Sequence, residues 1–299
     1  MKHLRTVLDL EDRRRVDAIM RRAQALKRSR RERRLPPTLT GRVVALLFER
    51  ESTRTRMAFE AGVKLLGGST LVLHERDTQI VRGEPIRDVA RVLGGYVDLL
   101  VTRSREHSTV DEYARHAGVP VVNGLSDRDH PCQVLTDLFT VFERREEPFA
   151  LRWAYVGAVT PHLRGLVDVA ALLGVSLTVA TTTRDTALDE AIARARAASA
   201  KVGIATSARE AVAGAQIVVT GAVQDDVAWP EGFCIDATLL RDADADHLVL
   251  HALPARRGRE ISDDVLEGPR SLAFEAAANR LPVQQAVLET LLDVPQEAR

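Results

Sequence analysis

Short apolar runs alternate with longer amphipathic segments along the chain of 299 residues. Runs such as Val43 to Phe48 have the length and composition of buried strands, whereas segments such as Ile86 to Leu93 are typical of helices. Strands that alternate with helices indicate parallel sheets joined by crossover helices. The pattern therefore predicts an α/β protein with two doubly wound parallel-sheet domains.

The predicted elements form two series, separated by the polar segment Arg144 to Pro148. The first series has strands at 43–48, 69–73, 98–102 and 119–123, and helices at 57–66, 86–93, 110–117 and 133–143. The second series has strands at 151–156, 176–180, 217–220 and 247–250. Its helices are one that ends at residue 173, one at 186–200, a short one that starts at the capping box of Ser207 and Glu210, and a last one at 276–292. We place the domain boundary at the polar segment, so that residues 1–145 form one domain and residues 146–275 the other.

Composition and charge narrow the class of protein. Hydrophobic residues make up 45% of the chain and charged residues 28%, and the 42 basic residues balance 42 acidic ones. No global field therefore attracts nucleic acid or a membrane surface, and no apolar run approaches the length of a membrane span. Cys132 and Cys234 are too few for a disulfide framework or a zinc site. With no signal-like apolar segment at the N-terminus, we expect a cytoplasmic enzyme.

The segment from Arg13 to Arg34 is basic although the whole chain is neutral, with eleven arginine and lysine residues. Val16, Ile19 and Ala23 recur in it at helical spacing, which predicts one apolar stripe on a surface helix with a solvated basic face. A nucleic-acid contact is the alternative, but no recognition fold or interleaved aromatic residues support it. We expect no nucleic-acid partner.

The segment from Phe48 to Arg56 lies where a predicted strand gives way to a helix. Its last five residues, Ser52 to Arg56, supply three hydroxyl groups, from Ser52, Thr53 and Thr55, and two guanidinium groups, from Arg54 and Arg56. The unpaired N–H groups and positive dipole end of a helix start favour phosphate, and arginine adds charge-assisted hydrogen bonds. The junction therefore predicts a site for a small dianion. A capped helix with a basic surface is the alternative for so short a motif.

Four motifs resemble those of the aspartate and ornithine carbamoyltransferases. The residues Phe48 to Arg56, FERESTRTR, resemble the carbamoyl-phosphate signature, and HPCQ at 130–133, with Leu135 and Asp137, resembles the family's HPxQxLxD. HALP at 251–254, followed by a glycine-containing charged stretch, resembles HCLP of the ornithine branch, and Ala278-Asn279-Arg280 resembles part of the AENR segment. This resemblance extends from about residue 40 to the end. It implies an active site in the cleft between the domains, and a C-terminal helix (276–299) that packs on the first domain.

The resemblance also implies roles for individual residues. Carbamoyl phosphate would be bound by Ser52, Thr53, Arg54, Thr55, Arg103, His130, Gln133, Leu253 and Arg280. Among these, Arg103, His130 and Thr55 would stabilise the oxyanion that forms when an amine attacks the carbamoyl carbon. Arg103 ends a predicted strand at the sheet edge where parallel α/β folds bind ligands, with Arg105 as the near alternative. Leu253 would contribute its backbone carbonyl.

Neither a metal, a cofactor nor a protein nucleophile is needed for this reaction. The partners implied are carbamoyl phosphate, an amine substrate and two further copies of the chain, because the family's loop at 77–87 reaches a neighbouring active site in a trimer. Arg82 lies in this loop and would act in trans, while a mobile surface loop is the alternative. No G-x-G-x-x-G follows a strand, which argues against a dinucleotide-binding oxidoreductase.

The residues that resemble the family's acceptor site differ from both branches. Ornithine enzymes have an asparagine pair after a GDG turn, a DxxxSMG segment and the cysteine of HCLP. The corresponding positions here are Thr160, Pro161, Gly221 and Ala252, with Gly165 in place of a further small polar residue. The acceptor arginines of the aspartate branch have no convincing match either. Each departure removes a group that could bind an α-amino acid.

We therefore predict a carbamoyltransferase whose amine acceptor is neither ornithine nor aspartate. Candidate acceptor-binding residues are Thr160, His162, Arg164, Gln224 and Asp225, any of which could equally be a plain surface residue. Two alternatives stay open. One is an ornithine carbamoyltransferase with a divergent acceptor site, and the other is a non-catalytic protein that binds carbamoyl phosphate.

Overall fold

The computed structural model describes residues 1–222 and 229–294. The chain forms two compact units, one of residues 1–135 with the C-terminal segment from Asn279, and one of residues 136–278. Both divisions fall inside helices, Pro131–Phe142 and Ala273–Leu291, rather than at the predicted points 145/146 and 275/276. A continuous helix has no break in its apolar pattern, so the sequence offers no signal at these two points.

The first unit contains a four-stranded parallel sheet with helices along it. Its main elements are α1 (Arg13–Arg31), β1 (Val43–Phe48), α2 (Thr53–Leu65), β2 (Ser69–His74), α3 (Ile86–Gly94), β3 (Leu99–Arg103), α4 (His107–His116), β4 (Val121–Leu125) and the first part of α5 (Pro131–Phe142). The end of α10 (Ala273–Leu291) also belongs to it. The strand order is β2-β1-β3-β4, and Phe48 pairs with Arg103 where β1 and β3 end.

Burial explains why these residues form this sheet. In β1 every residue after Val43 is buried, as expected for a central parallel strand covered on both faces. One apolar cluster joins Ala45 and Leu47 of β1 to Val89 of α3 and Val110 and Tyr113 of α4. Buried helix faces on the sheet therefore fix the carboxyl ends of β1 and β3 at one edge, where the predicted phosphate site begins.

The second unit contains a five-stranded parallel sheet. Its elements are β5 (Arg152–Gly157), α6 (Pro161–Leu173), β6 (Ser176–Thr181), α7 (Thr186–Ala197), β7 (Val202–Ile204), α8 (Ala208–Val212), β8 (Ile217–Thr220), β9 (Leu248–His251) and α9 (Asp263–Leu266). The strand order is β7-β6-β5-β8-β9, so the connections run in opposite directions on the two sides of β5. The carboxyl ends of β5 and β8 therefore form a topological switch point, where sheets of this kind bind ligands.

The predicted α/β class with two parallel-sheet domains is confirmed, and the predicted strands agree with the observed ones to within two residues at each end. The sequence did not predict β7 or α9, which have three and four residues. Elements this short have too few positions to show a period. Helix α2 begins at Thr53 rather than Met57, because its polar first turn carries no apolar periodicity.

A buried ion pair joins α1 to α10 within the first unit. The fully buried Glu289 carboxylate accepts hydrogen bonds from Arg22 at 2.5 and 2.9 Å and from the Thr38 hydroxyl at 2.5 Å. Replacing Glu289 by Ala should lower the free energy of unfolding by about 3 kcal/mol, because Arg22 is then left partly buried without its carboxylate. Urea denaturation followed by circular dichroism measures this loss.

Arg91→Ala is the matched control, because Arg91 forms an exposed ion pair with Asp88 in the same unit. Its removal should change the free energy of unfolding by at most about 0.5 kcal/mol. Equal destabilisation by the two variants would contradict the role given to Glu289.

Candidate active site

Helix α2 begins a short loop after β1, and the side chain at its N-cap position does not cap the helix. Ser52 occupies the N-cap position in an extended conformation, and its side chain makes no capping hydrogen bond. The first N–H groups of a helix have no carbonyl partners within that helix. The start of α2 therefore presents backbone donors and the Ser52 hydroxyl at the positive end of the helix dipole, a suitable environment for phosphate.

Thr55 and Arg103 bring two unsatisfied donors to the same edge of the first sheet. The Thr55 side chain is fully buried, and neither its Oγ1 nor the buried Nε of Arg103 has a hydrogen-bond partner in the described part of the chain. A methyl group placed on Gly124 at the end of β4 would lie 3.4 Å from Thr55 Cγ2, so Thr55 packs close against this strand. Buried donors without partners are uncommon, and a bound anion would satisfy both.

The electrostatics of this edge also favour an anion. Burial, together with the neighbouring charges of Arg54 and Arg50, lowers the pKa of Arg103 to about 10, and burial lowers the pKa of Arg54 as well. No carboxylate forms an ion pair with Arg103 among residues 1–222 and 229–294. Arg105, the alternative to Arg103, pairs instead with Glu75 at 3.1 Å. The geometry therefore favours Arg103 as the anion-binding residue.

A small cavity of about 180 Å³ lies at the ends of β1 and β2. It is lined by Phe48, Glu49, Arg50, Glu51, His74, Glu75 and Arg76. Its three glutamates disfavour a dianion there, so the phosphate is expected on the side of Arg54 and Arg103.

The predicted residues His130, Gln133 and Arg280 are all buried in the first unit, and Gln133 forms hydrogen bonds with both of the others. His130 precedes Pro131 at the start of α5, and its carbonyl accepts a hydrogen bond from the Gln133 backbone at 2.9 Å. The Arg280 guanidinium in α10 donates to the Gln133 side-chain oxygen. Because that oxygen is occupied, the Gln133 amide is oriented by Arg280.

A buried network that sequence reasoning missed holds the loop before His130. Asn123 of β4 donates to the Arg5 carbonyl at 2.8 Å, to the Ser126 hydroxyl at 3.0 Å and to the Asp129 carbonyl at 3.3 Å. His107 Nδ1 lies 2.9 Å from the same Ser126 hydroxyl. The contacts with Arg5 and His107 join residues 118 and 19 positions apart, and no local pattern in the sequence could have indicated them.

Cys132 lies between His130 and Gln133 but is unsuited to nucleophilic chemistry. Its thiol is buried, and this burial raises the pKa of Cys132 to about 12. A thiol protonated at neutral pH is a poor nucleophile. Cys132 therefore serves as a small core residue.

Three of the predicted acceptor-binding residues have structural partners in the second unit. The Thr160 hydroxyl caps α6 by accepting from the Leu163 backbone at 3.2 Å. His162 Nε2 lies 2.6 Å from the buried Asp137 carboxylate, and Arg164 pairs with Asp185. An acceptor bound by any of them would have to replace or extend these contacts. The other two candidates, Gln224 and Asp225, lie outside the described residues.

The remaining predicted residues lie in turns. Leu253 follows the carboxyl end of β9 with a positive φ of 42°. Arg82 ends an exposed 3-10 helix, Gln79–Arg82, and Gly83 follows it with a φ of 91°. No ion pair of Arg82 occurs within the described ranges.

Two known domain families match the sequence of this chain. The carbamoyl-P binding domain of the aspartate/ornithine carbamoyltransferases matches residues 2–143, and the Asp/Orn binding domain matches residues 150–291. The chain belongs to the aspartate/ornithine carbamoyltransferase family. The predicted family is thus confirmed, as is the class of enzyme, a carbamoyltransferase.

Relatives within the carbamoyltransferase family match almost the whole chain. A protein named ornithine carbamoyltransferase from Methanoculleus marisnigri is 42% identical over 286 residues, covering 93% of both chains. One of the same name from Archaeoglobus fulgidus is 38% identical over 306 residues and covers 99% of both. Among solved structures, the ornithine carbamoyltransferase from Pyrococcus furiosus superposes with a TM-score of 0.91 at 31% identity, covering 99% of this chain and 98% of that one.

The described part of this carbamoyltransferase contains no helix that is both long and apolar enough to cross a membrane. It also holds no cluster of three or more histidine, cysteine or acidic side chains that could bind a metal ion.

Replacing Arg103 by Met tests the anion site directly. Without phosphate the variant should be as stable as the wild type or more so, because a buried guanidinium near two others has been removed. Added phosphate should raise the thermal midpoint of the wild type, whereas the variant should bind phosphate about tenfold to hundredfold more weakly. Thermal denaturation over a series of phosphate concentrations provides both readings.

Arg105→Met is the matched control, since this arginine lies two residues further on, is exposed and pairs with Glu75. It should keep the response to phosphate. An Arg103→Met variant that is stabilised as strongly as the wild type would contradict the site.

Proposed function

We propose that this protein transfers the carbamoyl group of carbamoyl phosphate to an amine. The observation that carries the proposal is the unsatisfied, positively charged edge formed by Ser52, Thr55 and Arg103 at the start of α2. This edge suits a dianion, and the buried residues His130, Gln133 and Arg280 belong to the same unit. Family membership supplies carbamoyl phosphate as the dianion expected there.

The phosphate end of the substrate is assigned to the helix start. Ser52, Thr53, Arg54 and Thr55 hold the phosphate oxygens with hydroxyl and backbone donors, and Arg280 and Arg103 add charge. These interactions stabilise the leaving group as its negative charge increases. Because the donors are fixed by α2, little reorganisation accompanies departure of the phosphate.

The carbamoyl end is assigned to Arg103, His130 and Gln133, all within the first unit. A neutral amine attacks the carbamoyl carbon, a C–N bond forms, and the carbonyl oxygen takes up negative charge. Arg103, His130 and Thr55 donate to that oxygen. The C–O bond then breaks, its electron pair leaves with phosphate, and the amine loses one proton to solvent. Positioning and electrostatic stabilisation supply the catalysis.

Ornithine is the first candidate for the acceptor. Its support is that relatives 35–42% identical to this chain, over nearly its whole length, are named ornithine carbamoyltransferase. These names favour ornithine over the different acceptor predicted from the sequence.

A different amine is the second candidate, and one feature of the second unit favours it. At the carboxyl ends of β5 and β8, the Thr160 hydroxyl caps α6, Pro161 has no N–H group, and Gly221 has no side chain. The Tyr155 hydroxyl lies 3.3 Å from Thr160 Oγ1 and donates to the Ala158 carbonyl at 2.7 Å. These groups are neutral, so they offer no counter-charge to the ammonium and carboxylate groups of an α-amino acid.

We further propose a trimer in which Arg82 completes the site of a neighbouring copy. The support is that Arg82 is exposed on a turn where it has no intramolecular ion pair among the described residues.

A panel of amines should reveal the acceptor. The protein is incubated with carbamoyl phosphate and ornithine, lysine, aspartate, putrescine or a simple alkylamine, and ureido products are detected by mass spectrometry. The highest kcat/KM with ornithine would support the first candidate. A higher value with an amine that lacks the α-amino acid group would support the second. Binding of carbamoyl phosphate without any product would contradict transfer and indicate a non-catalytic binding protein.

His130→Ala should lower kcat by about 100-fold to 1,000-fold with the best acceptor, because one donor to the oxyanion is lost. Inhibition by inorganic phosphate should stay unchanged, because His130 is assigned to the carbamoyl end. Steady-state rates with phosphate as inhibitor measure both quantities. A parallel loss of phosphate binding would contradict this division of roles.

Mixing inactive variants tests the shared site. Arg82→Ala and Arg54→Ala should each be inactive alone. When the two are unfolded, combined in equal amounts and refolded, random trimers should recover about one quarter of the wild-type activity, since one site in four receives both intact arginines. No recovery, while each variant still forms trimers, would contradict a contribution of Arg82 in trans.

A further inference from the structure

The second unit has a cavity of about 360 Å³ beside β9, the edge strand of its sheet. His247 and Val249, at the amino end of this strand, line it. Parallel α/β sheets bind their substrates outside the carboxyl ends of the strands. The cavity therefore lies at the opposite end of β9 from the edge where a substrate of this unit is expected, and its volume suits a small organic molecule.

The inner part of the cavity is apolar and belongs to the core of the unit. Leu240 and Val249 are members of a buried apolar cluster, and Val265 of α9 packs against the same cluster. A methyl group placed on Gly268 would lie 2.7 Å from the Asp264 carbonyl oxygen, so the turn after α9 packs tightly on this helix. Because these walls are parts of a close-packed core, the cavity has its shape before any ligand binds.

Two arginines, Arg241 and Arg270, line the cavity on anchored stretches of backbone. The Asp242 carbonyl accepts a hydrogen bond from the Gly214 backbone at 2.8 Å, and the Arg270 carbonyl accepts one from the Val249 backbone at 2.9 Å. Neither guanidinium forms an ion pair among residues 1–222 and 229–294. Within this part of the chain, no carboxylate neutralises their positive charges.

His247 does not occupy the donors of Arg270. This histidine is buried, and its Nδ1 lies 2.7 Å from the Asp244 carbonyl oxygen. Because a carbonyl can only accept, Nδ1 carries the ring proton. Arg270 Nη1 lies 3.4 Å from the same Nδ1, and two donors cannot form a hydrogen bond with each other. An anion in the cavity would supply the acceptor that His247 Nδ1 does not.

The charges that line the cavity limit the kind of anion. Asp264 is exposed and is the one carboxylate among the lining residues, against the two arginines. This balance favours a ligand with a single negative charge, because Asp264 repels a second one. The apolar inner part favours an apolar body on the same ligand. A monocarboxylate with an aliphatic group has both properties.

We propose that this cavity binds a small aliphatic monocarboxylate. Arg241 and Arg270 hold its carboxylate, and its aliphatic body packs on Leu240, Val249 and Val265. The site is additional to the transfer reaction, because none of these residues is assigned to carbamoyl phosphate or to the amine. All of them belong to the second unit.

A series of ligands separates the contributions of charge and apolar body. Binding is measured by ligand-observed NMR titration of the full chain at constant ionic strength. 4-Methylpentanoate should bind saturably, with a Kd in about the millimolar range. Acetate, which lacks the body, and 4-methylpentanamide, which lacks the charge, should each bind at least about fivefold more weakly. Hexanedioate should also bind more weakly than 4-methylpentanoate, because Asp264 repels its second carboxylate.

Substitutions locate the binding site. Arg241→Met and Arg270→Met should each weaken binding of 4-methylpentanoate about fivefold, the effect of one lost, partly exposed charge pair. Ala237→Phe should abolish binding, because the added ring fills the cavity that Ala237 lines. Arg184→Met is the matched control, since Arg184 is an exposed arginine of the same unit that pairs with Asp189 away from the cavity. It should keep the wild-type affinity.

The two arginine variants should keep the wild-type thermal midpoint, because neither arginine loses an ion pair. No saturable binding by the wild type, or equal binding by all variants, would overturn the proposal. Acetate or the amide binding as tightly as 4-methylpentanoate would overturn it as well, since the site would then recognise only a charge or only an apolar surface. Arg103→Met should bind 4-methylpentanoate as the wild type does, so a failure of the proposed carbamoyl transfer leaves this result unchanged.

Discussion

Partial burial of the Arg103 guanidinium, close to two further guanidinium groups at the carboxyl edge of the first sheet, is the constraint on which the rest of the site depends. Arg103 ends the central strand β3, and the charges of Arg54 and Arg50 add to its burial in lowering its pKa to about 10. The fold keeps these groups together because β1 and β3 are joined by strand pairing and a shared apolar core, and α2 packs against β1. The positive charges are unfavourable close together, and a bound anion would compensate them, so the arrangement favours an anion at this edge.

The parts of this site that follow from local sequence could be predicted, and those that depend on distant contacts could not. The position of the anion site was predictable because the hydroxyl and guanidinium groups of Ser52 to Arg56 come shortly after an apolar strand, and that of Arg103 because it ends another strand. The contact of Gln133 with Arg280 spans 147 residues, and that of His162 with Asp137 spans 25. No periodicity encodes such pairs. The boundaries of the two units differ from the predicted ones for a related reason. They lie inside helices whose apolar pattern continues unbroken across the boundary.

The donor and the acceptor depend on different kinds of residue. The proposed donor site consists of a helix start, two strand ends and partly buried cations, all within the first unit and all recognisable from the sequence. At the expected acceptor positions of the second unit, the residues present have structural roles instead. Thr160 caps α6, and Pro161 is the first residue of that helix. A cap can be formed by several residue types, so the fold tolerates a change there that alters recognition. Family membership therefore fixes the carbamoyl donor more firmly than the amine.

A crystal structure of the protein with carbamoyl phosphate tests the central claim most directly. The phosphorus should lie at the N-terminus of α2, with phosphate oxygens within hydrogen-bond distance of the Arg103 guanidinium and the carbamoyl oxygen within hydrogen-bond distance of the Thr55 hydroxyl. The two buried donors that have no partner in the described residues would then be satisfied by the ligand. A substrate bound elsewhere, with Thr55 and Arg103 making no contact to it, would contradict the account.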